Sequence, residues 1–303
     1  MSIDLPASDL KAERTAGPAP CSDLTRRAGD DPAGSGTAFS TFLLLDYRGP
    51  WGHDAAADAS RDLLTPHACV TAHAAPGLRT FAIRPVRDRR SAPTAPGYAG
   101  TVGHDARLAV LAELPDDRAV TEIASGTLPG GRTDSVLIGV CTNARRDRCC
   151  AVRGRPVATA LQAEFGDGTI TEISHLGGHR YAATLLALPF GYSYGFLDPT
   201  AARQVVLAAL EGLVHPENLR GRSDLPPAAQ AADAFWRRQI GLAPVEAVRI
   251  DSCAVDGDDA IVQASVSGSG ERMHLHREHG PAISDTACGG KPITTGRWVA
   301  ELG

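Results

Sequence analysis

One stretch in the middle of the chain constrains the fold more than any other. Its pattern is typical of a strand, a helix and a second strand, with cysteines and histidines where these elements join. An apolar segment, residues 136–140, ends at Cys141, and a helix is predicted over residues 154–165. A second apolar segment, residues 169–174, is followed immediately by His175. The two strands of such a unit run parallel, so their carboxyl ends meet at one edge of the sheet. The pattern therefore predicts an α/β fold with thiols and imidazoles facing each other in loops at that edge.

Four side chains in these loops could bind one metal group: Cys141, Cys150, His175 and His179. Soft thiolates on one side and imidazoles on the other suit a metal ion or an iron–sulfur cluster. Cys149 precedes Cys150 directly, and adjacent side chains point in different directions, so only one of the two is expected to reach a site that Cys141 also reaches. Cys149 could be a backup ligand or a buried neighbour that tunes the site, and we expect the second.

The composition excludes several classes of protein. The chain has 303 residues, a formal charge of −5 and seven cysteines. This acidic balance argues against a nucleic-acid-binding protein, which would show a basic patch or stripe. No apolar run approaches the roughly 18 residues of a membrane helix, and the N-terminus lacks the apolar core of a secretory signal. We therefore expect a cytoplasmic protein with no nucleic acid or membrane partner, whose clustered cysteines bind a metal or take part in catalysis.

Several short motifs also carry a resemblance to a known family. They are Gly49-Pro50-Trp51-Gly52, Cys141-Thr142, Arg146-Asp147, Cys149-Cys150-Ala151, Arg153-Gly154-Arg155-Pro156 and Ser174-His175-Leu176-Gly177-Gly178-His179-Arg180. Together they resemble the sucrase/ferredoxin-like family, which contains thioredoxin-like [2Fe-2S] ferredoxins. The resemblance implies that Cys141, Cys150, His175 and His179 bind one [2Fe-2S] cluster. It also implies a thioredoxin-like module at the centre of the chain.

The resulting hypothesis is a one-electron carrier that exchanges electrons with an unidentified redox partner protein. Replacing two thiolates by neutral imidazoles raises the reduction potential of a cluster, and exposed imidazoles can couple electron transfer to proton transfer. These properties of the cluster suit an electron carrier better than a stand-alone enzyme. Two alternatives remain open: a structural or interaction protein that holds zinc at the same four residues, and an enzyme with a substrate cleft between its N-terminal and central modules.

Composition and pattern divide the chain into four regions. Residues 1–37 are polar and expected to be flexible, with Cys21 exposed or loosely docked among them. Residues 38–128 are expected to form an N-terminal α/β region, and residues 129–220 the thioredoxin-like module. Residues 221–303 are predicted to form an α+β extension with a helix, strands and a tail.

The N-terminal α/β region shows a pattern that suggests a second copy of the central module. Strands are predicted over residues 42–47, 79–84, 107–112 and 119–123, and one or two helices over residues 53–74. The order strand, helix, strand, strand, strand is similar to that of the central module, although periodicity alone does not give the order of strands in a sheet.

Some other residues could contribute to the site. Five arginines near the cysteines are either solvated or form a positive rim for an acidic redox partner: Arg145, Arg146, Arg148, Arg153 and Arg155. Trp51, Cys288 and Trp298 could surround or cover the cluster. A group of three histidines, His274, His276 and His279, is expected to be an exposed strand rather than a second metal site.

Overall fold

The computed structural model describes residues 19–87, 95–129, 132–166, 168–283 and 292–301. Within these residues, ten strands form one mixed sheet, and the others form a two-stranded and a four-stranded sheet. Helices connect many of the strands, so the protein has the α/β fold expected from the sequence.

The strands are numbered along the chain. The first five are β1 (Thr41–Asp46), β2 (Leu78–Arg84), β3 (Gly97–Thr101), β4 (Arg107–Leu111) and β5 (Arg132–Thr133). The next six are β6 (Leu137–Cys141), β7 (Ile170–Ile173), β8 (Leu185–Leu188), β9 (Tyr192–Tyr194), β10 (Leu213–Val214) and β11 (Leu219–Arg222). The last five are β12 (Ala243–Pro244), β13 (Val248–Asp256), β14 (Asp259–Val266), β15 (Ser269–Ile283) and β16 (Ile293–Glu301).

The described α-helices are α1 (Cys21–Arg27), α2 (Ala55–Leu63), α3 (Pro66–Ala74), α4 (Asp117–Ala124), α5 (Arg148–Phe165), α6 (Pro199–Leu210) and α7 (Pro227–Ile240). A side chain caps the N-terminus of each helix from α2 to α6 by accepting a hydrogen bond from a backbone N–H of the first turn. The capping residues are Asp54, Thr65, Asp116, Asp147 and Asp198. Short polar residues in the sequence therefore fix where these helices begin.

The large sheet has the same strand order on both sides of its middle. Read outward, one half is β2-β1-β3-β4-β5 and the other is β7-β6-β8-β9-β11. In each half the first two strands are parallel and the remaining neighbours are antiparallel. In each half a helix follows two antiparallel strands along the chain: α4 follows β3 and β4, and α6 follows β8 and β9. The internal repeat suggested by the sequence is thus present in the topology.

The two halves meet where β2 pairs with β7 in antiparallel orientation. This seam is short, with Ile83 opposite Ile173 and Arg84 opposite Glu172. The Arg84 Nε donates to Glu172 Oε2 at 2.6 Å, and both side chains are buried. The guanidinium of Arg84 also stacks 3.7 Å from the ring centroid of Trp51. Trp51 therefore stacks on a buried ion pair at the seam.

A shared apolar layer joins the halves and reaches the cysteines. It contains Phe42 and Phe81 from the first half and Leu186 from the second, together with Cys141 and Cys150. All five side chains are at most 1% exposed. The two thiols therefore lie at the boundary of a dry core, where a polar or charged group must be matched by a partner.

The C-terminal region forms the α+β extension expected from the sequence. Strands β13 to β16 make a four-stranded antiparallel sheet, and α7 packs on it through a cluster that includes Trp236. The third strand, β15, spans Ser269–Ile283, and the tail returns as β16. Among the described residues, none of the helices has the length and apolar character needed to span a bilayer.

Two expectations about local structure were wrong, and one strand was not predicted. Residues 119–123 form part of helix α4, because Val120 and Ile123 lie three residues apart on one buried face. The strand that was not predicted is β3, residues 97–101, where glycines and neighbouring prolines are more typical of a loop. Cys21 is fully buried in helix α1, where it packs against Cys149 and Ala182. Of the segment expected to be flexible, residues 1–18 lie outside the described residues.

Candidate metal centre

Two strand ends and one helix bring the predicted ligands to one edge of the sheet. Cys141 is the last residue of β6, and His175 follows β7, its parallel neighbour. Cys150 lies in the first turn of α5, and His179 begins a short 3-10 helix, residues His179–Tyr181. The strand–helix–strand arrangement expected from the sequence therefore places these side chains close together.

Three of the four predicted ligands form a compact group. One donor atom from each of Cys141, Cys150 and His175 lies within 4.8 Å of the others. The Cys150 Sγ is 3.7 Å from the His175 Nδ1. Both cysteines are buried, whereas the His175 ring is half-buried, so the group is open to its surroundings on the histidine side. Among the described residues, this is the one group of three such side chains that could hold a metal ion.

The pKa values of the two thiols of this group are shifted in opposite directions. A hydrogen bond from Cys150 holds the pKa of Cys141 well below its usual value, and the neighbouring His175 acts in the same direction. The pKa of Cys150 is raised, because its thiol donates that hydrogen bond and is buried. Thiolates are the form that binds metals. Cys141 is therefore the thiol of the pair that is prepared to ionise.

The fourth predicted ligand, His179, lies beside this group rather than within it. The ring centroids of His175 and His179 are 6.4 Å apart. The Nδ1 of His179 is 3.1 Å from the Asp147 Oδ2, so its Nε2 is the nitrogen left for a metal. A carboxylate that holds the second nitrogen of a histidine fixes the orientation of the ring, as it does for many metal-binding histidines. Burial lowers the pKa of His179, while Asp147 opposes this effect.

Helix α5 begins six residues earlier than predicted. The predicted helix started at Gly154. Pro156 lies inside α5, where proline lacks the N–H for one helical hydrogen bond, and Gly154 is required because a Cβ there would clash with the carbonyl oxygen of Cys141. As a result, Cys150 is held by a helix and not by a loop. Asp147, one residue before the helix, was the signal for this start.

Cys149 is a buried neighbour of the centre, as expected. Its side chain is 1% exposed and packs against Cys21 and Ala182. Its backbone N–H donates to the Asp147 Oδ1 at 2.9 Å. Cys149 therefore connects helix α1 to the helix that carries Cys150.

The loop between the two histidines is fastened by residues near both ends of the chain, which the sequence analysis did not single out. The Thr37 hydroxyl donates to the Leu176 carbonyl oxygen at 2.6 Å. The Tyr181 hydroxyl, at the end of the 3-10 helix, donates to the Asp30 Oδ2 at 2.9 Å. The other oxygen of Asp30 accepts a hydrogen bond from the Gly296 N–H at 3.0 Å.

Two further arginines complete these contacts. Arg180 donates to the Thr294 carbonyl oxygen at 2.6 Å, and Arg220 donates to the Gly177 carbonyl oxygen at 3.2 Å. Contacts between residues so distant in sequence leave no local pattern that would reveal them.

The arginines near the cysteines are mostly exposed. Arg146 is 2.8 Å from the His53 Nδ1, beside a small cavity of about 60 Å³ that His175 also lines. Arg153 forms an ion pair with Asp23 of α1. The other three, Arg145, Arg148 and Arg155, are exposed.

Two candidate groups from the C-terminal region remain. Trp298 packs with the core of the C-terminal sheet, and Cys288 lies outside the described residues. His276 and His279 are exposed and pair with Asp259 and Asp258. These histidines belong to an exposed strand, as expected.

One of three comparisons with known proteins finds a match. No curated protein and no solved structure matches the chain significantly. The family model described as sucrase/ferredoxin-like matches residues 32–221, which is more than half of the chain and includes all four predicted ligands. The chain therefore belongs to the sucrase/ferredoxin-like family.

Proposed function

We propose that the protein is an electron-transfer protein that binds a [2Fe-2S] cluster through Cys141, Cys150, His175 and His179. The observation that carries the proposal is the convergence of two buried cysteines and one histidine, with a second histidine beside them, in a member of the sucrase/ferredoxin-like family. This donor set fits the group, because iron–sulfur clusters can be held by two thiolates and two imidazoles. When bound, the cluster would supply reversible one-electron chemistry.

The protein residues have separate roles in this proposal. Cys141 and Cys150 hold the buried side of the group, and the low pKa of Cys141 favours the thiolate that binding requires. His175 and His179 hold the open side, where the His179 side chain is 35% exposed. An exposed imidazole can exchange a proton with solvent, so these histidines would couple proton transfer to electron transfer. The histidine side is also where a redox partner protein would approach.

A zinc site at the same residues is the second candidate, and one distance favours it. Zinc binds sulfur at about 2.3 Å and nitrogen at about 2.0 Å, so two ligands of one tetrahedral ion lie roughly 3.5 Å apart. The 3.7 Å separation of the Cys150 Sγ and the His175 Nδ1 is close to that value. Zinc would give a structural site without redox chemistry.

Spectroscopy on the anaerobically purified protein distinguishes the two. The electron-transfer proposal predicts a red-brown protein with about two iron and two sulfide per chain, and a single-spin EPR signal after reduction with dithionite. His175→Cys and His179→Cys should each shift the EPR signal, whereas His276→Cys, on an exposed strand, should leave it unchanged. A colourless protein with stoichiometric zinc, even after reconstitution with iron and sulfide, would refute the proposal. An EPR signal that is insensitive to His179→Cys would remove His179 from the ligand set.

A further inference from the structure

Arg220, on strand β11, contacts the loop that connects His175 and His179. Its side chain is 1% exposed, and its NH1 donates to the Gly177 carbonyl oxygen at 3.2 Å. The guanidinium fills the space beside Gly178, where a Cβ would clash with it. Gly178 has φ +64°, which glycine adopts without strain. The shape of this loop therefore depends on a close approach between glycine and the guanidinium.

The other hydrogen-bond partners of Arg220 carry no charge. Its Nε donates to the Ser35 Oγ at 3.1 Å, and its NH2 donates to the Ser35 carbonyl oxygen. Within the described parts of the chain, no carboxylate forms an ion pair with it. A buried cation without a carboxylate is costly unless another anion lies nearby.

Arg220 lies close to the candidate metal centre, because the Gly177 carbonyl oxygen that it contacts is two residues from both His175 and His179. Burial lowers the pKa of Arg220 to about 10; Tyr181 and Cys141 oppose that shift, and Arg180 adds to it. The guanidinium therefore keeps its charge at neutral pH.

The charge on the centre changes when an electron is added. Two iron(III) ions, two sulfides and two thiolates sum to zero, with neutral imidazoles adding nothing, so one-electron reduction leaves a net charge of −1. A fixed cation in a poorly solvated site stabilises the state with the extra negative charge.

Resting on the proposed function, we infer that Arg220 is a positioning residue with two effects. It fixes the loop between His175 and His179 (the histidine loop) through Gly177 and Gly178. Its permanent charge raises the reduction potential of the cluster, and this effect does not require a bound redox partner protein.

Thr37 provides a control for the loop, because it fastens the same segment without a charge. Its hydroxyl donates to the Leu176 carbonyl oxygen, one residue before Gly177. Replacing Thr37 by valine removes this hydrogen bond and leaves Arg220 and its charge in place.

The test is a redox titration of the intact, cluster-loaded protein, followed by EPR, on the wild type and on Arg220→Gln, Arg220→Lys and Thr37→Val. We expect Arg220→Gln to shift the midpoint potential to a more negative value, Arg220→Lys to restore most of that shift, and Thr37→Val to shift it much less. Both Arg220→Gln and Thr37→Val should lose the cluster faster in the presence of a chelator. An unchanged potential in Arg220→Gln, or an equal shift in Thr37→Val, would overturn the electrostatic role.

A second pair of variants keeps the test valid if Arg220→Gln does not fold. Ser35→Asp places a carboxylate on the guanidinium, and Ser35→Asn is its uncharged match. The potential should be lower in Ser35→Asp than in Ser35→Asn, and equal values would refute the inference. A wild type that takes up no cluster would overturn both the proposed function and this role of Arg220. A cluster-loaded protein whose midpoint potential does not change when Arg220 is replaced would overturn only this role.

Discussion

The carboxylate of Asp147 holds His179 with one oxygen and the first turn of helix α5 with the other. The Oδ2 lies 3.1 Å from the His179 Nδ1, and the Oδ1 accepts a hydrogen bond from the Cys149 N–H at 2.9 Å. One side chain therefore connects the histidine side of the metal centre to the helix that carries Cys150. The orientation of the imidazole and the start of the helix are set together.

Replacing Asp147 by alanine should affect both stability and metal retention. Loss of the N-cap should lower the free energy of unfolding of the metal-free protein by about 1 kcal/mol, and loss of the contact with His179 should weaken metal binding by about 10- to 100-fold. Urea unfolding measures the first effect, and the rate of cluster loss to a chelator measures the second. Asp198→Ala is the matched control, because Asp198 caps α6 in the same way. If Asp198→Ala released the cluster as fast as Asp147→Ala, the contact with His179 would have no specific role.

Replacing Gly154 by alanine should destabilise the protein, although this change normally stabilises a helix by up to about 1 kcal/mol. The sign is reversed because a Cβ on Gly154 would clash with the carbonyl oxygen of Cys141 and push α5 away from β6. We expect a loss of about 1–3 kcal/mol in urea unfolding, and weaker cluster binding because Cys141 and Cys150 move apart. Ala160→Gly, at an exposed position of the same helix, measures the ordinary propensity effect. A stabilised Gly154→Ala variant would show that the two elements have room to separate.

Replacing Glu172 by glutamine should destabilise the seam between the two halves of the sheet. The change removes the carboxylate that forms an ion pair with the buried guanidinium of Arg84, and breaking a buried ion pair costs about 3–5 kcal/mol. The matched change Glu164→Gln breaks the exposed pair with Arg203 and should cost no more than about 1 kcal/mol. Urea unfolding of both variants checks the difference. Equal losses in the two would mean that the seam contributes no more than a surface contact.

His104 should make the stability of the metal-free protein depend on pH. Its Nε2 lies 3.1 Å from the Arg222 NH1, which can only donate, so the ring accepts and is neutral. Burial lowers the pKa of His104, and Arg222 acts in the same direction. The unfolded chain, with a histidine pKa of about 6.5, therefore binds the proton more readily than the folded protein. Stability should be unaffected above that pH and should fall as the pH decreases below it.

His104→Gln should remove the part of the pH dependence of stability that His104 causes. The amide oxygen of glutamine can still accept a hydrogen bond from Arg222, and it does not titrate. Urea midpoints measured between about pH 7.5 and pH 5 would show a shallower decline than in the wild type. An unchanged decline would assign the pH dependence to other groups.

The sequence predicted the parts of the site that depend on local pattern. Cys141 and His175 follow apolar strands directly, and the topology of a strand–helix–strand unit is enough to bring them together. The predicted start of α5 at Gly154 was six residues too late; this glycine lies inside the helix, where it allows a close approach to Cys141. A similar reason hid strand β3, where a Cβ on Gly100 would clash with the ring of Phe42. In both places glycine marks contact between elements and not a loop.

Other parts could not be predicted, because they depend on contacts across most of the chain. The hydrogen bond from Thr37 to Leu176 spans 139 residues, and that from Arg220 to Ser35 spans 185. Neither residue type is unusual at its position in the sequence. Only the folded arrangement shows that an N-terminal segment and strand β11 meet at the histidine loop.

The attachment of the histidine loop to both ends of the chain has a consequence for the order of events during protein synthesis. Domains begin to fold from the N-terminus while the ribosome is still adding residues. The loop leaves the ribosome more than a hundred residues before Thr294 and Gly296, whose contacts with Arg180 and Asp30 complete its attachment. A nascent chain can therefore expose all four donor residues before their surroundings are in place. The surroundings of these side chains are therefore completed only when the segment that carries Thr294 and Gly296 has also been synthesised.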